Sequence, residues 1–169
     1  MSKQLELSAA IYESEEQGRR ILDVLQQMHK GSTITLADLA MVTKDADGKV
    51  RIKETREVSG LKGATRGAIV TGIFGVIYPP SLLVTATGGG IAGGLWGRLR
   101  DTGIKTGRLK DFGDTLEPGK AGVVALSQPE DVPEIEAAMG EWNATIIHHG
   151  FDDRDTSAIE EATRPAETR

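Results

Sequence analysis

Four groups of residues have types and spacing that could do chemistry. Gly88-Gly89-Gly90-Ile91-Ala92-Gly93 matches G-x-G-x-x-G, in which a glycine turn brings backbone N–H groups against a dinucleotide pyrophosphate. His148 and His149 carry imidazoles able to move a proton or hold a metal. Asp111 with Asp114, and Glu15 with Glu16, are carboxylate pairs of the general acid–base type.

None of these carries through in the sequence. A dinucleotide site needs a strand before the glycines, a helix after them and an acid about 20 residues on, at a strand end. The next convincing strand is Ala121–Ser127, which makes the acid Glu130, 40 residues past Gly90; Asp111 is nearer but sits in a helical pattern. No Gly-Lys-Ser/Thr follows, so a P-loop is excluded, and no G-x-S-x-G elbow exists. Adjacent strand residues point to opposite faces, so His148 and His149 cannot easily share a metal, and His29 is far away. The carboxylate pairs read as solvated helix faces. The expectation is a non-enzymatic protein with no catalytic residue, cofactor or metal.

Composition narrows the class further. The chain has 169 residues, enough for one domain with a proper core. Aromatic residues are only 4%, poor material for a large aromatic pocket, and a net charge of −5 argues against nucleic acid as a partner. The absence of cysteine removes disulfides, thiolate nucleophiles and Cys-based zinc sites. The opening MSKQLELSAAIYESEEQ turns acidic by Glu6 and lacks an apolar signal core, so the N-terminus is expected to stay in the cytoplasm.

The elements follow from periodicity. Leu5 to Ile11 alternates as a strand. Ser14 opens a capping box with Gln17, and Ile21, Leu22, Val24, Leu25 and Met28 define an amphipathic helix over 15–30 that Gly31 should end. Ile34–Thr43 and Val50–Val58 read as antiparallel strands joined by the Asp45-Ala46-Asp47-Gly48 turn. Arg98–Leu116 reads as a helix and Ala121–Ser127 as a buried strand. Asp131 caps a helix with Pro133 in its first turn and Glu134 closing a second box; Val132, Ile135, Met139 and Trp142 form its apolar stripe. Ala144–His149 is a last strand, and 152–169 an acidic flexible tail with a weak helix over 157–163.

Between these elements lies the stretch that dominates the chain. Gly67 to Gly97 is 31 residues without a charge or a histidine, and eleven of the 21 glycines fall between Gly60 and Gly97. On a helix, Gly60, Gly63, Ala64, Gly67, Ala68, Thr71, Gly72 and Gly75 form one continuous small-residue stripe opposite Ile69, Val70, Ile73, Phe74, Val76 and Ile77. Past a Pro79-Pro80 tip, a second arm sets Ala86, Gly89, Gly90, Gly93, Gly94 and Gly97 against Leu82, Leu83, Ile91, Leu95 and Trp96. Helical glycine costs about 1 kcal/mol relative to alanine, so close backbone packing must offset it, as in a glycine zipper.

A membrane span needs ~20 helical residues. The charge-free arms are Gly67–Tyr78, twelve residues, and Ser81–Gly97, seventeen. A single kinked span would put the flanking strands on opposite sides of a bilayer and break the sheet. A hairpin keeps both ends together, with Lys62, Arg66, Arg98 and Arg100 forming a basic mouth suited to anionic headgroups. Burial in lipid and burial at an oligomer interface both remain open, since each hides the same large-residue face.

The zipper ending in Arg98-Leu-Arg-Asp101-Thr-Gly103-Ile104, followed by Leu116-Glu-Pro118-Gly119-Lys-Ala121, resembles the bacterial family of domain-of-unknown-function 1269 over Leu5 to Phe151. That resemblance implies a glycine-zipper hairpin on a ferredoxin-like body in a predicted membrane protein, and brings no catalytic residues. The expected architecture is α+β: a ferredoxin-like antiparallel sheet with packed helices (residues 1–59 and 98–151), an inserted helical hairpin (60–97) and the tail (152–169). The expected function is membrane-associated self-association through the hairpin, on the cytoplasmic side of the cell membrane, with itself and an anionic bilayer as partners. The alternative is a cytoplasmic soluble homo-oligomeric scaffold or ligand-binding module with the hairpins at its core.

Overall fold

The computed structural model describes residues 4–56, 58, 68–78, 82–85 and 107–157. Gly60, Gly63, Ala64, Gly67, Ala86, Gly89, Gly90, Gly93, Gly94 and Gly97, the Pro79-Pro80 tip and all four cations of the basic mouth lie outside them. The fold is α+β. Strands β1 (Glu6–Tyr12), β2 (Leu36–Lys44), β3 (Val50–Thr55), β4 (Leu83–Thr85), β5 (Ala121–Ser127) and β6 (Thr145–Gly150) form one sheet in the order β4-β3-β2-β5-β1-β6. Every pairing is antiparallel except β3 with β4, which is parallel, so the sheet is mixed rather than antiparallel throughout. β1 and β2 do not touch each other; β5 fills the space between them.

Among the described residues, four helices pack on this sheet, α1 (Glu15–Lys30), α2 (Ala68–Ile77), α3 (Gly107–Thr115) and α4 (Val132–Met139), and a short helical turn follows at 153–157. Ile21, Leu22 and Leu25 of α1 and Ile135 and Met139 of α4 bury against Ala10, Met41, Val123 and Ala125 on one face. Ile69, Val70, Ile73 and Phe74 of α2 and Leu109 and Phe112 of α3 bury against Leu7, Ala9, Val42, Val124 and Leu126 on the other. The alternation along each strand therefore feeds two cores.

Local chemistry explains several boundaries. Ser14 Oγ accepts from Gln17 N at 3.3 Å, the expected cap of α1. At the other end the left-handed residue is Ser32 (φ 60°), while Gly31 stays at φ −81°. Only Gly48 (φ 80°) of the Asp-Gly pair takes a positive φ in the β2–β3 turn. Asp131 does not form the second capping box. It ends a 3₁₀ turn, Pro129–Asp131, and its carboxylate reaches across to accept from Thr35 N at 3.0 Å.

Two further expectations are corrected. Leu83, placed on a second helical arm, begins strand β4, because its backbone pairs with β3 from Val50 to Ile52. Within the described part of the acidic tail, which starts at residue 152, Thr156 is docked rather than free, and Phe151 just ahead of the tail is anchored on the same residue, Leu5. Phe151 N donates to Leu5 O at 2.9 Å, Leu5 N donates to Thr156 Oγ1 at 3.2 Å, and both Phe151 and Thr156 are buried.

Candidate functional site

Of the residues singled out for hairpin packing, the described ones are Ala68, Gly72 and Gly75, all on α2. The bulky residues opposite them cover the sheet of the same chain: Ile69, Val70, Ile73 and Phe74 are each at most 2% exposed. That face is thereby filled intramolecularly.

The residue that seats α2 is Asp38, which sequence reasoning missed. Its Oδ2 accepts from Val70 N at 2.9 Å, and its Oδ1 accepts from Leu39 N at 3.0 Å. A carboxylate at a helix N-terminus satisfies unpaired N–H groups and meets the positive end of the helix dipole. Asp38 reaches this place through a β-bulge between Leu36 and Asp38 in the β2–β5 ladder. Without it, Leu36 and Asp38 would share a face; with it, Leu36 enters the α1 core while Asp38 turns towards α2. The available signal was a lone acid inside the apolar run Leu36–Val42.

The two adjacent histidines separate as expected. On the α4 side, His148 Nε2 lies 2.5 Å from Glu6 Oε2 and its Nδ1 lies 3.3 Å from Glu136 Oε1, which also accepts from Ser8 Oγ at 3.3 Å. Three elements, β1, β6 and α4, meet on one imidazole. Ser8 is hydrogen-bonded to a carboxylate, not to the imidazole, so this is not a nucleophile-activating arrangement. On the other side, the His149 ring stands edge-on to Phe151 at 4.8 Å. Burial, and after it the Arg108 guanidinium, hold His149 below the ordinary histidine pKa. No group of three or more His, Cys, Asp or Glu among the described residues is arranged to hold a metal.

The carboxylate pairs divide among separate partners. Asp114 accepts from Tyr78 Oη at 3.1 Å and from Lys110 Nζ at 3.1 Å. The Lys110 hydrogen bond chiefly, with Tyr78 adding to it, keeps Asp114 below the usual carboxylate range, while burial and then Asp114 raise the Tyr78 phenol. Glu15 pairs with Arg19 and Lys53, and Glu16 with Arg20.

A cavity of about 360 Å³ opens at the end of the sheet where β1 leaves, β5 enters and α4 turns into β6. Its apolar part is formed by Ile11, Tyr12, Ile147 and Trp142. Tyr12 is buried and donates to Met139 O at 2.6 Å; the Trp142 ring meets it edge-on at 6.1 Å. Trp142 does not join the apolar stripe of α4. It is 41% exposed, with φ 57° and ψ 30°, and Asn143 follows at φ 56°. Two successive non-glycine residues in the left-handed region cost roughly 1–2 kcal/mol each. On the rim, Lys120 Nζ lies between Glu13 Oε1 (3.5 Å) and Glu117 Oε2 (3.3 Å).

A mixed six-stranded sheet with helices on both faces, α2 covering the sheet of its own chain and a cavity at one end of the sheet define an α+β domain. The chain belongs to the family described as Protein of unknown function (DUF1269), whose model matches residues 64–164, more than half of its length. None of the curated proteins and none of the solved structures matches it significantly. No described helix is long and apolar enough to cross a membrane.

Proposed function

We propose that this protein is a non-enzymatic, self-associating module whose 60–97 segment forms the contact between copies. The body is read as ferredoxin-like: β1, β2, β5 and β6 with α1 and α4 have that unit's strand order, and β3, β4, α2 and α3 are carried in the β2–β5 connection. The 60–97 segment is read as a glycine-zipper hairpin, with its second arm shortened to 86–97 by strand β4.

The observation that carries the soluble-oligomer form of this reading is the placement of α2. Its bulky face lies in the core of its own chain, so neither lipid nor a second copy takes that face, and contact between copies falls to the small-residue side and to the second arm. The charge-free second arm is then twelve residues, ~18 Å on a helix against a hydrocarbon core of about 30 Å. Docking at an anionic membrane surface is the second reading, favoured by the cations Lys62, Arg66, Arg98 and Arg100 flanking the charge-free run.

Light scattering with and without detergent, alongside flotation with phosphatidylglycerol vesicles, tests both. A discrete oligomer that ignores detergent and does not float supports the soluble form. Flotation lost on Arg66→Glu with Arg100→Glu supports the membrane form. A monomer under all conditions, or an oligomer unchanged by Gly93→Leu, overturns self-association through this segment.

A further inference from the structure

We propose that the cavity beside Trp142 is a binding site for a small organic cation, an ammonium or guanidinium group on a short apolar stem. The charge of the site sets the sign. Glu13 and Glu117 face one cation, Lys120, whose ammonium already lies within 3.5 Å of both carboxylates. An anionic ligand would have to displace one carboxylate from Lys120 and face the other. A cation meets a surplus of negative charge and finds the carboxylates at the mouth. The surface of the cavity sets the rest. Ile11 and Ile147 offer apolar contact to a stem, and the half-exposed indole of Trp142 lines the cavity with an aromatic ring of the kind that attracts cations.

The backbone supports a role for that indole. Trp142 and Asn143 adopt consecutive left-handed conformations, which hold the ring edge-on against Tyr12 and leave it open to the cavity. Such conformations concentrate at ligand sites. A turn serving only to connect α4 to β6 would not require a large exposed aromatic there. No described residue lining the cavity belongs to α2 or β4, so the inference does not depend on self-association.

The full chain with Trp96→Phe leaves Trp142 as the sole tryptophan, since the sequence has two. Its fluorescence is titrated with agmatine and n-butylammonium, and with butyrate as the matched anion. Both cations give a saturable change and butyrate none. By calorimetry, Trp142→Leu weakens agmatine binding about tenfold and Glu117→Gln about fivefold, the scale of a partly desolvated cation–π contact and one charge contact. Glu117 is solvent-exposed, so Glu117→Gln keeps the thermal midpoint of the parent and separates binding from folding. An acetylated, amidated arginine that binds more tightly than agmatine assigns the site to a peptide side chain; the reverse order assigns it to a free amine. Saturable butyrate binding, no saturable response to either cation, or equal affinity in both variants overturns the proposal.

Discussion

On one face of the sheet, α1 and α4 lay down aliphatic side chains from amphipathic helices; on the other, α2 and α3 use rings and missing Cβ atoms. Phe74 lies between Tyr78, stacked at 6.5 Å, and Phe112, edge-on at 6.4 Å. Those rings fit because two glycines make room. A Cβ on Gly113 would fall 2.9 Å from Tyr78 Cζ and collide with its hydroxyl; one on Gly122 would fall 2.5 Å from Phe112 Cζ. On the first face the tightest equivalent, Gly18, meets the flexible end of Met41 at 2.8 Å. The first layer is a periodic pattern that tolerates adjustment. The second is a specific fit between rings and bare backbone, with less freedom to relax.

The largest way to break this comparison is Phe112→Ala. It should cost about 3–5 kcal/mol in urea unfolding, because the ring supports both α2 and β5. A loss smaller than that of Leu22→Ala would refute the claim that the ring layer is the less forgiving one. Next, Gly113→Ala should cost about 1–3 kcal/mol despite improving helix propensity, and Tyr78→Phe should recover part of it. Additive single and double mutants would show that the two residues do not compete for one space.

The caps sharpen the same contrast. Asp38→Ala leaves the Val70 and Leu39 N–H groups without their buried acceptor and should cost about 1–3 kcal/mol, with loss of α2 amide protection from hydrogen exchange. Ser14→Ala on the opposite layer should cost ~1 kcal/mol. The order of the two is the readout.

The smallest effect is a pH dependence on the ring side. His149 has a depressed folded-state pKa, so the unfolded chain binds more protons in the window below the ordinary histidine value near 6.5. Its contribution is present above that value and declines as pH falls towards the lower folded one. His149→Phe should flatten this part of the stability–pH curve. An unchanged slope just below about pH 6.5 would remove His149 as its origin.

What was legible in the sequence follows the same division. The α1 layer was readable because its caps and aliphatic spacing are local: Ser14, Gln17, Ile21, Leu22 and Leu25 all lie within a dozen residues. Five of the six strands were visible as alternating or apolar runs. β4 was not, because Leu83–Thr85 is only three residues long and its parallel partner β3 lies on the far side of α2 in the sequence, so tertiary pairing overrode the helical reading. Asp38 was missed because its role depends on a bulge, a feature of registration between strands far apart in sequence. The small-residue stripe on α2 was visible, but periodicity does not say what a bulky face packs against; here it is the chain's own sheet. Trp142 was read as part of a helical stripe because its spacing from Met139 fits one, and the left-handed turn that removes it has no glycine to announce it.

The position of β5 has a consequence for how the molecule is made. β1 and β2 are synthesised early, yet neither pairs with the other; β2 gains β3 on one edge, while β1 has no partner until the strand that begins at Ala121. Until that strand leaves the ribosome, β1 is unpaired and β2 keeps one open edge, both rich in apolar residues, the exposed geometry that invites aggregation. Closing so long a loop before any reward is collected slows folding in proportion to its contact order. The expected behaviour is a late, concerted collapse when β5 arrives. Chains halted before Ala121 should remain protease-sensitive over β1, and those released after Ser127 should become protected over β1, β2 and β5 together.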